Sequence, residues 1–121
     1  MKHLIAEIQT KLLNHKNMEV KVKSIAGFKA NVEATGASTS IAAVVVVEGE
    51  KYANIENGSV KAEDGRTLAT FNHFGGISIN YLTTDEDEII AAITDVTHFV
   101  KYCKANAGAL GKVTEAEPKG K

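Results

Sequence analysis

Apolar residues recur at helical spacing from the first residue: Met1, Leu4, Ile5, Ile8 and Leu12 share a face, with Leu13 beside them. Lys2, Glu7, Lys11 and His15 take the other face, so the pattern predicts an amphipathic helix over residues 2–15. The period then changes to two. Met18, Val20 and Val22 alternate with Glu19, Lys21 and Lys23; Phe28, Ala30, Val32 and Ala34 alternate with Lys29, Asn31, Glu33 and Thr35. Such alternation marks strands with one buried face. A three-residue turn closed by Gly27 would pair Val22 with Ala30 and Val20 with Val32, keeping apolar opposite apolar.

Ile41 to Val47 lacks alternation and is rich in valine, which predicts a central strand covered on both faces. Asn57-Gly58 predicts a tight hairpin setting Ile55 against Val60 and Ala53 against Ala62, since both turn residues tolerate positive φ. Asp64-Gly65 predicts a second hairpin leading into Thr67–Phe71, and Gly75-Gly76 separates that strand from Ile77–Tyr81. The last helix is marked by Thr84 as N-cap with Asp87 three residues on, and by acids at Asp85, Glu86, Asp87 and Glu88 that suit the positive end of the helix dipole. Ile89, Ile93, Val96, Val100 and Cys103 form its apolar stripe, and Asn106 and Gly108 end it. The chain thus reads as an α+β fold: an antiparallel β-meander of six to seven strands with an amphipathic helix at each terminus. Residues 1–108 make one domain; residues 109–121, with Lys, Glu, Thr, Gly and Pro118, predict a disordered tail.

Composition narrows the class. With 121 residues, 44% hydrophobic and 24% charged, the chain is ordinary for a small soluble domain. One cysteine, Cys103, allows no intramolecular disulfide, and no apolar run approaches the length of a membrane span. Early charges interrupt what would be a signal-peptide core, so the expected compartment is the cytoplasm. Net charge is −1, which argues against a dedicated nucleic-acid binder. The distribution is uneven, however. Lys21, Lys23 and Lys29 belong to a lysine-rich first third, and Asp85 and Glu86 to an acidic block. These offer complementary charged surfaces within one copy or between two.

Candidate chemistry is sparse. Asn72, His73, Gly75 and Gly76 form a stretch whose glycines would let backbone amides approach an anion, although the spacing fits no phosphate-loop pattern. Asp95, His98 and Tyr102 lie at i, i+3 and i+7 on the last helix, a row of carboxylate, imidazole and phenol. Cys103 sits on the apolar stripe with no base beside it. One cysteine and four scattered histidines supply no metal site of the usual spacings, and no cofactor motif is present. The favoured reading is a non-catalytic, protein-binding protein of the accessory or inhibitor type, acting by surface occupancy as a homodimer. Its size would suit an accessory protein of a phage or mobile element. A nucleic-acid-binding module using the lysine-rich third, and a small ligand-binding or enzymatic domain around Asn72 and His73, are the alternatives.

Overall fold

A computed structural model describes residues 18–113. The helix expected over residues 2–15 lies outside these described residues. Six strands follow one another as an antiparallel meander in which every strand pairs with its sequence neighbour: β1 (Glu19–Ala26), β2 (Lys29–Thr35), β3 (Ser40–Glu48), β4 (Lys51–Lys61), β5 (Thr67–His73) and β6 (Ile77–Tyr81). One helix, α1 (Glu86–Ala105), crosses one face of the sheet over β4 and β5, and a 3-10 turn (Ala109–Gly111) packs against β3. Among the described residues, no helix is long and apolar enough to cross a membrane.

The register shifts at several places along the sheet, and two of the extra residues, one in β1 and one in β4, correct a parity problem. Val22 and Ile25 are an odd number of positions apart, so a regular strand would send them to opposite faces. In β1 the pairing runs Val22 to Val32 and then Ser24 to Asn31, leaving Lys23 as a bulge. Ile25 then sits opposite Ala30, and both Val22 and Ile25 pack on the core. The turn is accordingly Gly27-Phe28, with Ala26 opposite Lys29 and Gly27 at φ +62°. The expected three-residue turn and its pairs are replaced by Val22 with Val32 and Val20 with Ala34. Phe28, placed on the buried face by sequence parity, is instead 63% exposed at the turn tip.

The expected hairpin at Asn57-Gly58 does not form. Both residues lie inside the eleven-residue strand β4. Asn57 does take positive φ, at 53°, but it uses it for a bulge: Ala42 pairs with Ser59 and Val44 with Glu56, so two residues of β4 face one of β3. The bulge brings Ile55 and Val60, again an odd distance apart, onto the same core face, where both are fully buried. Gly58 is needed for a second reason, because a Cβ there would run into the Phe71 ring. Asp64-Gly65 does turn the chain from β4 to β5, with Gly65 at φ +93°.

β3 is central in the sheet, and among the described residues a helix covers it on one face only. Ile41, Ala43, Val45 and Val47 are buried beneath the helix side, whereas Ala42 is exposed and Val44 half-buried on the other; only Val46 is buried among the outward positions. The last helix begins one residue later than expected, at Asp85, whose side chain accepts the Glu88 N–H. Its core line is also rotated. Ala92, Asp95, Val96, Phe99, Val100 and Cys103 are buried, while Ile89 and Ile93 are half-buried and Ile90 is exposed. Phe99 decides the rotation. Its ring meets Phe71 edge to face, at 6.2 Å between centroids and 84° between planes, and Ala92 leaves the helix close to the sheet.

The packed chain continues past the boundary expected at residue 108. Leu110 is 2% exposed and belongs to the core cluster with Ala107 and Cys103. Leu110→Ala should therefore cost about 2–5 kcal/mol by emptying a filled core site. Truncation after Gly108 should lower the melting temperature in chemical or thermal denaturation, and an unchanged melt would show that the 3-10 turn contributes nothing.

Candidate functional site

The sheet separates the candidate residues into two groups by face. His73 closes β5 on the helix side and is 5% exposed. Its Nδ1 lies 2.6 Å from the Tyr52 hydroxyl on β4, and the two rings are tilted at 51°. Burial, with a smaller contribution from the Lys104 charge, pushes the His73 pKa down, so the ring is neutral near pH 7 and can accept the Tyr52 proton in a hydrogen bond. Burial also pushes the Tyr52 hydroxyl up, with a further contribution from Cys103. Cys103 is fully buried and burial raises its thiol well above the ordinary range, which keeps it protonated and unreactive.

Asn72, the neighbour of His73, points the other way. It is exposed on the face without the helix, opposite Ser78. The two residues therefore cannot converge on one ligand, and the loop expected at residues 72–76 shrinks to a turn in which the Phe74 N–H donates to the Gly76 carbonyl at 3.3 Å. Gly75, at φ +84°, makes that turn and Gly76 closes it. Positive φ explains Gly75, whereas a Cβ at Gly76 would meet nothing.

The fold divides the row Asp95–His98–Tyr102. Asp95 is 2% exposed and its Oδ2 accepts hydrogen bonds from the Thr39 hydroxyl at 2.8 Å, the Thr39 N–H at 3.1 Å and the Ser38 N–H at 3.3 Å. This carboxylate pins α1 to the β2–β3 turn. Gly36 makes room for it, since a Cβ there would stand 2.6 Å from the carboxylate. His98 and Tyr102 are half-buried, and no hydrogen bond among the described residues joins them to Asp95. At the same end of the sheet, Arg66 forks between Asp64 at 2.9 Å and Glu88 at 2.7 Å, fastening the β4–β5 turn to the helix start. Hydrogen bonds from Arg66 hold both carboxyls below the ordinary range.

The charged residues singled out by sequence are also placed by the sheet. Lys23 pairs with Glu33 at 3.9 Å and Lys29 with Glu56 at 3.1 Å. Lys21 lies in register with Glu33. Asp85 caps the helix and Glu86 lies in its first turn. Among the described residues, no ion pair joins the lysines of β1 and β2 to that acidic turn.

What remains is a broad open face that sequence reading did not assemble. Ala42, Ser59, Thr70 and Asn80 lie in one cross-strand row over β3, β4, β5 and β6, with Asn72 and Ser78 as the next row. Asn57, Ser59, Thr70, Asn72, Ser78 and Asn80 line a shallow groove of about 400 Å³. A second groove, about 260 Å³, shares Asn57 and continues across Asn31, Glu33, Ala42 and Val44. The polar alternation of residues 67–73 and 77–81 carried this signal; the hairpin expected at Asn57-Gly58 hid the contribution of Ser59. Among the described residues, no group of three or more His, Cys, Asp or Glu is placed to hold a metal ion. Comparison with protein-family models, with curated proteins and with solved structures finds no match to this chain.

Two outcomes test this geometry. Asp95→Ala leaves the Thr39 and Ser38 donors unpaired and should destabilise the fold by about 3 kcal/mol in urea denaturation; a loss below about 1 kcal/mol would mean the clamp is idle. The depressed pKa of His73 predicts a pH dependence. Its neutral form is favoured in the folded state, so its contribution is complete above the unfolded value of 6.5 and is lost as pH falls through the lower folded value. Melting temperature should fall from about pH 6.5 downward, and His73→Gln should flatten that fall.

Proposed function

We propose that this is a non-catalytic binding protein that engages another protein through the open face of its sheet. The observation that carries the reading is the contiguous row Ala42–Ser59–Thr70–Asn80, uncharged and lined with small or hydrogen-bonding side chains, on the face that the helix leaves open. A surface of this kind, with half-buried Val44 and exposed Ala42 beside polar Asn and Thr, resembles a protein-contact surface in its mix of apolar and hydrogen-bonding groups. The groups a catalyst would use are engaged elsewhere: His73 with Tyr52, Asp95 with Thr39, and Cys103 protonated on the buried side of the helix. The lysines that would meet phosphates face Glu33 and Glu56, which lowers the positive potential a nucleic acid would need. A lone buried cysteine suits a reducing compartment, and the reading places the protein in the cytoplasm.

The test is capture of partners from the native host with three variants. Thr70→Arg and Asn72→Arg load charge onto the exposed face without touching the core, whereas His98→Ala alters the outer side of the helix. The arginine variants should lose a partner that wild type and His98→Ala retain, with all three melting alike. Capture indifferent to both arginines would refute the open face as the binding surface.

A further inference from the structure

The two edges of the sheet are built differently. β1 carries a bulge at Lys23 and two lysines, features that discourage a second strand from adding to it. β6 carries none of these. Ile77-Ser78-Ile79-Asn80-Tyr81 has no charge, no proline and an unbroken register with β5, and among the described residues β5 is the one strand paired with it. Large apolar side chains surround this edge: Ile77 is 37% exposed, Leu82 56% and Ile90 61%.

The helix adds to the same edge. Asp95 marks the flank of α1 that faces Thr39 and β3. At about 100° per residue, Ile89, Ile93 and Val100 fall on the opposite flank, which faces β6. Ile79 and Tyr81 of β6 are half-buried and pack on the core from the sheet, and Ile89 and Ile93 are half-buried on the helix flank that faces this edge.

We propose that β6 pairs antiparallel with β6 of a second copy about a twofold axis at Ile79, joining two six-stranded sheets into one. The sequence of β6 is symmetric in character about Ile79: apolar, polar, apolar, polar, apolar. The axis therefore sets Ile77 against the partner's Tyr81 and Ser78 against the partner's Asn80, and no apolar residue meets a polar one. Self-pairing brings no like charges together at this edge, whereas self-pairing of β1 would oppose lysines. The axis also runs the two helices antiparallel, so the acidic first turn of each lies on the side of the partner's Lys104. A stable interface needs about 800 Å² from each partner, more than a five-residue strand supplies. The apolar strip of Leu82, Ile89, Ile90 and Ile93 provides the remainder. Two open faces then stand side by side as a single surface.

Because Ser78 and Asn80 are both exposed, they can be changed without disturbing the core. Ser78→Lys with Asn80→Lys opposes like charges twice across the axis; Ser78→Lys with Asn80→Glu makes two opposite pairs instead. Light scattering at about 50 μM should give twice the 12.9 kDa chain mass for wild type, one chain for the double lysine variant, and two for the lysine–glutamate variant. Monomeric wild type at that concentration overturns the proposal. So does a dimer that survives the double lysine change. Two monomeric variants that melt like wild type refute the register at Ile79.

Discussion

A strand offers its side chains to two faces in strict alternation, and among the described residues a helix, α1, lies on one of them. Most of the large apolar residues of the strands must therefore reach that face, whatever their position along the chain. The sequence does not keep that parity by itself. Val22 and Ile25, and Ile55 and Val60, are out of phase, and bulges at Lys23 and Asn57 bring them back. The core that results, from Val22 through Val45 and Ile55 to Phe71, is what Phe99 and Cys103 pack upon. The polar rows of the open face follow from the same rephasing, because whatever is not turned inward is aligned outward.

The Asp95 clamp and the Arg66 fork then fix where the helix lies. Asp95 ties its middle to the β2–β3 turn, and Arg66 ties its first turn to the β4–β5 turn. Both attach α1 to the same end of the sheet, so its direction is set there, and its far end is settled by Cys103 and Leu110. Charges buried or forked in this way give orientation more than net stability. The Tyr52–His73 pair belongs to the opposite end and is held by its hydrogen bond.

Much of the fold was legible in the sequence. The antiparallel meander, the Asp64-Gly65 turn, the strand Ile77–Tyr81 and the end of the helix at Asn106 all follow from local patterns. The failures share one cause. Asn-Gly favours positive φ, which a hairpin turn and an interior bulge both need, and local chemistry cannot choose between them. The choice was made by Phe71, which needs the space above Gly58, a contact between residues far apart in sequence. Likewise the stripe Ile89–Ile93 satisfies helical spacing, yet the edge-to-face contact of Phe99 with Phe71 turned the helix away from it. For the site, residue type alone misled: Asp95 and His73 resemble chemistry in the sequence and are fastened into structure by partners that only the fold brings near.

The nearest-neighbour order of the strands also bears on how the chain acquires its shape. Each strand meets the one just made, so loop closures are short and the pairings have low contact order, which favours fast assembly for an all-antiparallel sheet. Hairpins of this kind close in about 1–10 μs, far faster than a ribosome adds residues. The helix that covers them is encoded last, and its tie from Asp95 to Thr39 spans 56 residues. During synthesis the strands are therefore made before α1 can cover their apolar face, with Ile41–Val47, rich in valine and free of charge, at its centre. That interval, rather than the finished molecule, is when the chain is most exposed to aggregation and most in need of a chaperone.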